Sequence, residues 1–210
     1  GLVGADGATH AGSFDLAYLL CLPNVVVMAP SDENELARMI FTAANYNAGP
    51  IFCRYPRGEA VGIKIEDKLV SLEIGKGKVI KEGKQIAILS IGTRMKDVLE
   101  VYDVLKSDGF LITVADARFA KPIDKELLKN LFLNHDALIF VEEGSSGGFS
   151  SHCLNYLSSE NLLGQESKLI KCLTLPDNFQ DHGSQNDQLT DAKLDKDGIL
   201  FEIRSIISKL

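Results

Sequence analysis

Six runs of apolar residues divide the chain: NVVVMAP at 24–30, PIFCRY at 50–55, QIAILSIG at 85–92, FLITVADA at 110–117, ALIFVEE at 137–143 and KLIKCLTL at 168–175. They run nearly unbroken instead of alternating apolar with polar residues, so they predict strands covered on both faces. Between them, Leu36, Met39, Ile40, Ala43 and Ala44 recur on one helical face behind Ser31, a good N-cap. Met95, Val98, Leu99, Tyr102 and Leu105 repeat that pattern after Thr93, and Ile199, Ile203, Ile206, Ile207 and Leu210 give a last helix. Strands alternating with amphipathic helices predict an α/β fold of parallel strands joined by right-handed crossovers.

The alternation breaks over residues 58–84, where charge and glycine replace the apolar runs. That stretch reads as a linker followed by a hairpin-like entry into a second unit, with the boundary at 63–70. The second unit, 71–210, has enough elements for a complete domain. The first, 1–62, has two strands and two helices, too few to cover both faces of a parallel sheet, and reads as half of a domain. Gly1 stands where a methionine would, which predicts a natural start further upstream.

A length of 210 residues allows one or two domains. The net charge of -7, from 22 basic and 29 acidic residues, argues against a nucleic-acid footprint or a polybasic membrane patch. Any anion site is therefore local. Cysteines 21, 53, 153 and 172 show no paired metal-ligand spacing, so reduced thiols and a cytoplasmic location are expected. The apolar runs are strand-length, short of a membrane span.

Three stretches hold residues suited to chemistry. In GADGATHAG, Gly4, Gly7 and Gly12 permit a sharp bend and close approach to a ligand. The helix implied by HAGSFDLAYLL would begin beside them and present its positive end to an anion. His10 can exchange a proton near neutral pH, and Asp6 could orient it or hold a substrate hydroxyl. The plainer alternative is that Asp6 caps a turn and His10 is a surface histidine. Because GATHAGS lacks the lysine of a P-loop and no GxGxxG opens a helix, nucleotide phosphate is not the expected ligand.

In CRYPRG, Pro56 ends a strand and leaves Arg57 in the loop at its carboxyl end, where open α/β sheets bind ligands. Its planar fork of donors suits phosphate or carboxylate, and Arg54 nearby adds to that reading. The alternative is a pairing with a nearby glutamate at a domain surface. The third stretch, VEEGSSGGFSSHCL, matches GxSxG at Ser146, with Asp177 or Asp181 and His182 following in hydrolase order. Two glutamates just before it oppose a developing oxyanion, so a glycine-rich turn capped by Ser145 or Ser146 is favoured. LPDNFQDHGSQ reads as a loop capping the next helix, and DAKLDKDG as a solvated charged surface.

Taken together, GLVGADGATHAGSFDLAYLLCLPNVVVMAPSDENEL and YNAGPIFCRYPRGEAVG closely resemble the carboxyl-terminal part of the 1-deoxy-D-xylulose-5-phosphate synthases, a transketolase-like family. The likeness continues through GTRMKDVLEVYDVL, DARFAKPIDKELL, VEEG and LPDNF, essentially the whole chain. The resemblance implies a parallel-sheet fragment of the pyrimidine-binding middle domain at 1–62, a linker at 63–70 and a transketolase C-terminal-like α/β domain at 71–210. It also implies thiamine diphosphate and Mg2+ in the complete enzyme, with their main anchors upstream and no metal site in this segment. The implied reaction condenses pyruvate with D-glyceraldehyde 3-phosphate and releases CO2, feeding isoprenoid, thiamine and pyridoxal precursors. By the same resemblance His10 is the catalytic histidine, while Asp6 and Arg57 bind the sugar phosphate. A homodimer is expected, and this segment alone is expected to be inactive. The glycine-rich segment after VEE departs from the family pattern. Alternatives are another thiamine-diphosphate enzyme of the transketolase type, or a dimerisation or regulatory module.

Overall fold

The computed structural model describes residues 1–164 and 168–210. The chain opens with a 3-10 turn at Gly4–Asp6, then α1 (Asp15–Leu20), β1 (Val26–Met28), α2 (Glu33–Ala44) and β2 (Ile51–Cys53). After a long irregular segment come β3 (Lys78–Lys81), β4 (Ile86–Ile91), a 3-10 turn at Gly92–Arg94, α3 (Met95–Ser107), β5 (Thr113–Asp116) and β6 (Phe119–Lys121). The rest comprises α4 (Lys125–Asn134), β7 (Ala137–Ser145), α5 (Phe149–Ser159), β8 (Leu169–Leu175), α6 (Gln185–Asp191) and α7 (Lys196–Ile207).

All six apolar runs became strands. Five strands form one sheet in the order β3-β5-β4-β7-β8, in which only β3 runs antiparallel. Alternate residues of β4 feed opposite cores, as expected of a strand covered on both faces. Ala87, Leu89 and Ile91 join Phe140 and Phe149 under α1, α4 and α5, whereas Ile86 and Ile88 join Val98, Leu105 and Ile203 under α3 and α7. Burying each large side chain contributes about 1.5–3 kcal/mol.

The expected hairpin at the entry to the second unit does not form. β3 skips its neighbour β4 and pairs with β5, so its side of the sheet is closed by a distant partner. The two units are also interleaved. The first unit supplies β1 and β2, which are parallel, and β6 from the second unit pairs antiparallel with the other edge of β1. Leu16, Leu20, Val27 and Ala29 of the first unit lie in the same apolar cluster as Leu89 and Phe140.

The segment after β2 is strapped along α2 rather than free. Glu33 accepts from Gly62 N (2.5 Å), Asn34 Oδ1 accepts from Glu66 N (2.9 Å), and Thr42 Oγ1 accepts from Leu72 N (2.8 Å). Leu72 then packs with Met28, Met39 and Phe119. The N-cap of α2 is Asp32, whose Oδ1 accepts from Glu35 N (2.8 Å), and not Ser31. Ser31 instead hydrogen-bonds the buried carboxylate of Asp116, and burial pushes that carboxyl up to about 6. Residues 191–198 are more than a charged surface: Leu194 is buried with Ile199 and Ile203, and Asp195 caps α7 through Gly198 N (2.9 Å).

Candidate active site

The loop of residues 1–14 lies across the carboxyl end of β7, where Ser145 N donates to Ser13 O (2.7 Å). The β2 loop joins it there, as ligand-binding loops do in parallel sheets. Gly4–Asp6 forms a single 3-10 turn, closed by Gly7 N donating to Gly4 O (3.1 Å), and His10 N donates to Gly7 O (3.1 Å). Asp6 and Arg57 meet in an ion pair on the surface, and Arg57 Nη1 also donates to Val3 O (3.3 Å). The pairing partner is thus the other candidate residue, not an unrelated glutamate. His10 is exposed, three residues beyond the Gly7 bend, with Thr9 Oγ1 3.0 Å from its Nδ1.

Two sequence expectations about this loop need correction. First, α1 begins at Asp15, well past His10, and its first turn is occupied: Asp15 Oδ1 accepts from Leu16 N (2.9 Å) and Oδ2 from Arg54 Nε (3.0 Å). The chain's own carboxylate stands at this helix end, so an external anion there would meet a negative charge. Second, the space freed at Gly7 (φ 73°) is filled by the protein itself. A Cβ there would strike the ring of His182, so the glycine admits a side chain of the second unit, not a ligand.

Arg54 also parts company with Arg57. Its side chain is 10% exposed, and its guanidinium donates to Asp15, Gly12 O (2.9 Å) and Glu143 O (2.6 Å). It ties the 1–14 loop to β7 and adds nothing to an anion site.

The GxSxG match is a structural turn. Glu142, fully buried, accepts from Phe149 N (2.8 Å), Ser150 N (2.8 Å) and Ser150 Oγ (2.6 Å). The N–H that an oxyanion at Ser146 would need, that of Gly147, is itself bonded to Ser151 Oγ (3.1 Å). Burial pushes the Glu142 carboxyl up, against the pull of these hydrogen bonds. The cap of α5 is therefore Glu142, reaching forward from the strand, and neither Ser145 nor Ser146. Glu143 is spent too: Oε1 accepts from Leu2 N (2.7 Å), and Arg94 stands 3.1 Å from Oε2 in ion-pair range without aligning its Nε–H as a hydrogen bond.

Sequence reasoning missed the contribution of α6. Gln185 and Gln188 bond to main-chain atoms of the site loops, and only the capping box of Ser184 and Asp187 that starts their helix was legible. A cavity of about 790 Å³ opens at the opposite end of β4 and β5, between residues 82–86, 109–112 and Leu210. It brings no candidate side chain to the site. Among the described residues, no group of three or more His, Cys, Asp or Glu is arranged to hold a metal ion, and no helix is long and apolar enough to cross a membrane.

Residues 1–61 match the transketolase pyrimidine binding domain, and residues 75–199 match the transketolase C-terminal domain. The chain belongs to the transketolase family. A family member described as a split gene transketolase, inactive beta4 tetramer, superposes with a TM-score of 0.75 at 27% identity over 94% of this chain. Two transketolase mutants from Pichia stipitis, H261F and R356L, share the fold with TM-scores of 0.71 at 18% identity over 98% of it. The chain spans 62% of the split-gene transketolase and 28% of each Pichia protein. The fold is thus a mixed α/β transketolase arrangement, a pyrimidine-binding fragment followed by the C-terminal domain.

Transketolase-family enzymes use thiamine diphosphate with a divalent metal. Four enclosed carboxylates that could serve that group are already committed within the chain. Glu142 and Glu143 are committed to α5, Leu2 and Arg94, Asp116 is buried beneath Ser31 and Arg118, and Asp15 holds Arg54.

Proposed function

We propose that this chain is the acceptor-side portion of a 1-deoxy-D-xylulose-5-phosphate synthase, which joins the two-carbon remnant of pyruvate to D-glyceraldehyde 3-phosphate with loss of CO2. The observation that carries the reading is the meeting of Asp6 and Arg57 on an exposed surface at the carboxyl ends of the strands, on the loop that also bears His10. An arginine that is more than half exposed and neutralised by one carboxylate is ready to exchange that partner for a dianionic phosphate.

On this reading Arg57 binds the acceptor phosphate, and Asp6, released from it, accepts from an acceptor hydroxyl. His10 supplies the proton that the aldehyde oxygen takes up as the new carbon–carbon bond forms. The cofactor supplies the carbanion chemistry, and its anchors belong to sequence outside this chain. Working units contain more than one copy of the chain, a homodimer being the simplest.

The family match favours one other reading, a transketolase that takes its two-carbon unit from a ketose phosphate. Product analysis of the assembled enzyme with pyruvate and with a ketose phosphate as donor separates the two. In the same enzyme Arg57→Ala should raise KM for D-glyceraldehyde 3-phosphate far more than KM for pyruvate; equal rises would remove the phosphate role. His10→Ala should lower turnover by roughly 10²–10⁴-fold, and a wild-type rate would remove the proton-transfer role.

A further inference from the structure

Helix α6 belongs to the far end of the chain, yet it grips both segments that carry the acceptor-side residues. Gln185, its first residue, donates from a single amide nitrogen to Leu2 O (2.7 Å) and to Arg57 O (2.7 Å). Its Oε1 faces Gly58, where a Cβ would come within 3.1 Å, so the residue after Arg57 leaves room for the amide. Gln188, one turn further, is 3% exposed. Its Oε1 accepts from Gly4 N (2.9 Å), and its Nε2 donates to Gly4 O (3.3 Å) and Asp181 O (2.9 Å).

These bonds have a geometric consequence. Gly4 opens the turn that ends in Asp6, and Gln188 holds both its N–H and its carbonyl. Gln185 holds the carbonyl of Arg57 itself. One helix therefore sets the spacing between the main chain under Asp6 and the main chain under Arg57. The origin of the Gln185 amide is fixed in turn, because Ser184 Oγ accepts from Asp187 N (3.0 Å) and donates to Asp187 Oδ2 (2.7 Å) at the start of α6. The Arg57 guanidinium stays exposed and, among the described residues, is bonded to Asp6 and Val3 O, so its side chain can turn toward a ligand while its backbone is held. A fixed backbone under a mobile cationic head lowers the ordering cost of capturing an anion.

We infer that Gln185 is a positioning residue for the acceptor phosphate: it holds the Arg57 loop against residues 2–6 so that the guanidinium meets a phosphate monoester in register with Asp6 and His10. The inference rests on the proposal that Arg57 binds phosphate. It gives the C-terminal unit a share in acceptor recognition through an amide that touches no substrate.

The test uses the assembled enzyme with two variants that keep the side-chain length. Gln185→Met removes both donors, and Gln185→Glu replaces them with an acceptor facing two carbonyls. Inorganic phosphate is titrated by calorimetry into wild type, both variants and Arg57→Met, and turnover is compared with D-glyceraldehyde 3-phosphate and with unphosphorylated D-glyceraldehyde. Loss of two hydrogen bonds should weaken phosphate binding about 10-fold in each Gln185 variant and abolish it in Arg57→Met. The preference for the phosphorylated acceptor should fall by the same factor, with KM for pyruvate unchanged. An unchanged phosphate affinity in Gln185→Met overturns the inference, as does equal loss with both acceptors, a lower melting temperature without weaker phosphate binding, or phosphate binding that ignores Arg57. If phosphate binds through Arg57 and weakens in Gln185→Met, yet pyruvate yields no product, the positioning role stands and the synthase assignment falls.

Discussion

Arg54 and Arg57 are three residues apart in one loop, and their surroundings predict opposite outcomes for the same substitution. Arg54→Met removes a guanidinium that is 10% exposed and bonded to Asp15, Gly12 O and Glu143 O. Asp15, itself 17% exposed, is left among the described residues with its bond from Leu16 N, and two carbonyls lose a charged donor. Removing one partner of a pair this enclosed costs about 3–5 kcal/mol. Arg57→Met removes a pair whose members are 56% and 42% exposed, for which the expected cost is about 0–1 kcal/mol. In urea unfolding followed by circular dichroism, the Arg54 variant should lose roughly 1–2 M in midpoint at constant slope, while the Arg57 variant stays near wild type. Acceptor binding should show the reverse contrast at Arg57, with stability kept and phosphate affinity lost. Equal destabilisation by the two variants, or a loss below about 1 kcal/mol for Arg54→Met, would refute the division into one structural and one ligand-facing arginine.

Glu142→Ala strands two backbone N–H groups and a hydroxyl at the start of α5, so a loss of about 3–5 kcal/mol is expected in the same unfolding assay, and a change under about 1 kcal/mol would contradict the capping role. Asp116 carries a carboxyl pushed by burial from 3.8 up to about 6, so the folded state holds its proton more tightly than the unfolded chain does. Stability should therefore fall as pH rises from about 4 to about 6 and level off above, by at most about 3 kcal/mol. Asp116→Asn, which keeps an acceptor for Arg118 N, should flatten that slope; a wild-type pH profile would exclude Asp116 as its source. A fluorophosphonate probe should leave Ser146 unlabelled, and labelling detected by mass spectrometry would reinstate a nucleophile there.

The sequence disclosed the strands because their burial on both faces is written into unbroken apolar runs, as Ala87, Ile88 and Leu89 illustrate. It disclosed the helices through periodicity, and the residues that the structure brings together as Asp6 and Arg57 through their side-chain chemistry. What it hid was pairing at a distance. β6 is three residues long and follows a reversal at Arg118, a non-glycine residue with φ of 57°, for which composition gives no signal. Ser31 and Asp32 are both capable caps, and only the buried Asp116 decides which of them turns away from the helix. Glu142 was legible as a charge but not as a cap, because its partners follow a turn rather than precede a helix. Gln185 and Gln188 were invisible for a similar reason: amides carry no periodic signal, and their acceptors lie near the other end of the chain.

The antiparallel pairing of β6 with β1 bears on how the polypeptide is made. On the ribosome, Val26–Met28 leaves the exit tunnel long before Phe119–Lys121 has been translated, so the edge of β1 that β6 later occupies stays open while much of the following unit is synthesised. An open edge flanked by Val27 and Phe52 is a template for unwanted pairing between nascent chains. A ribosome stall or premature stop between β2 and β6 should therefore leave an aggregating product, whereas nicking the finished protein in the strap should leave two pieces clasped by a shared sheet.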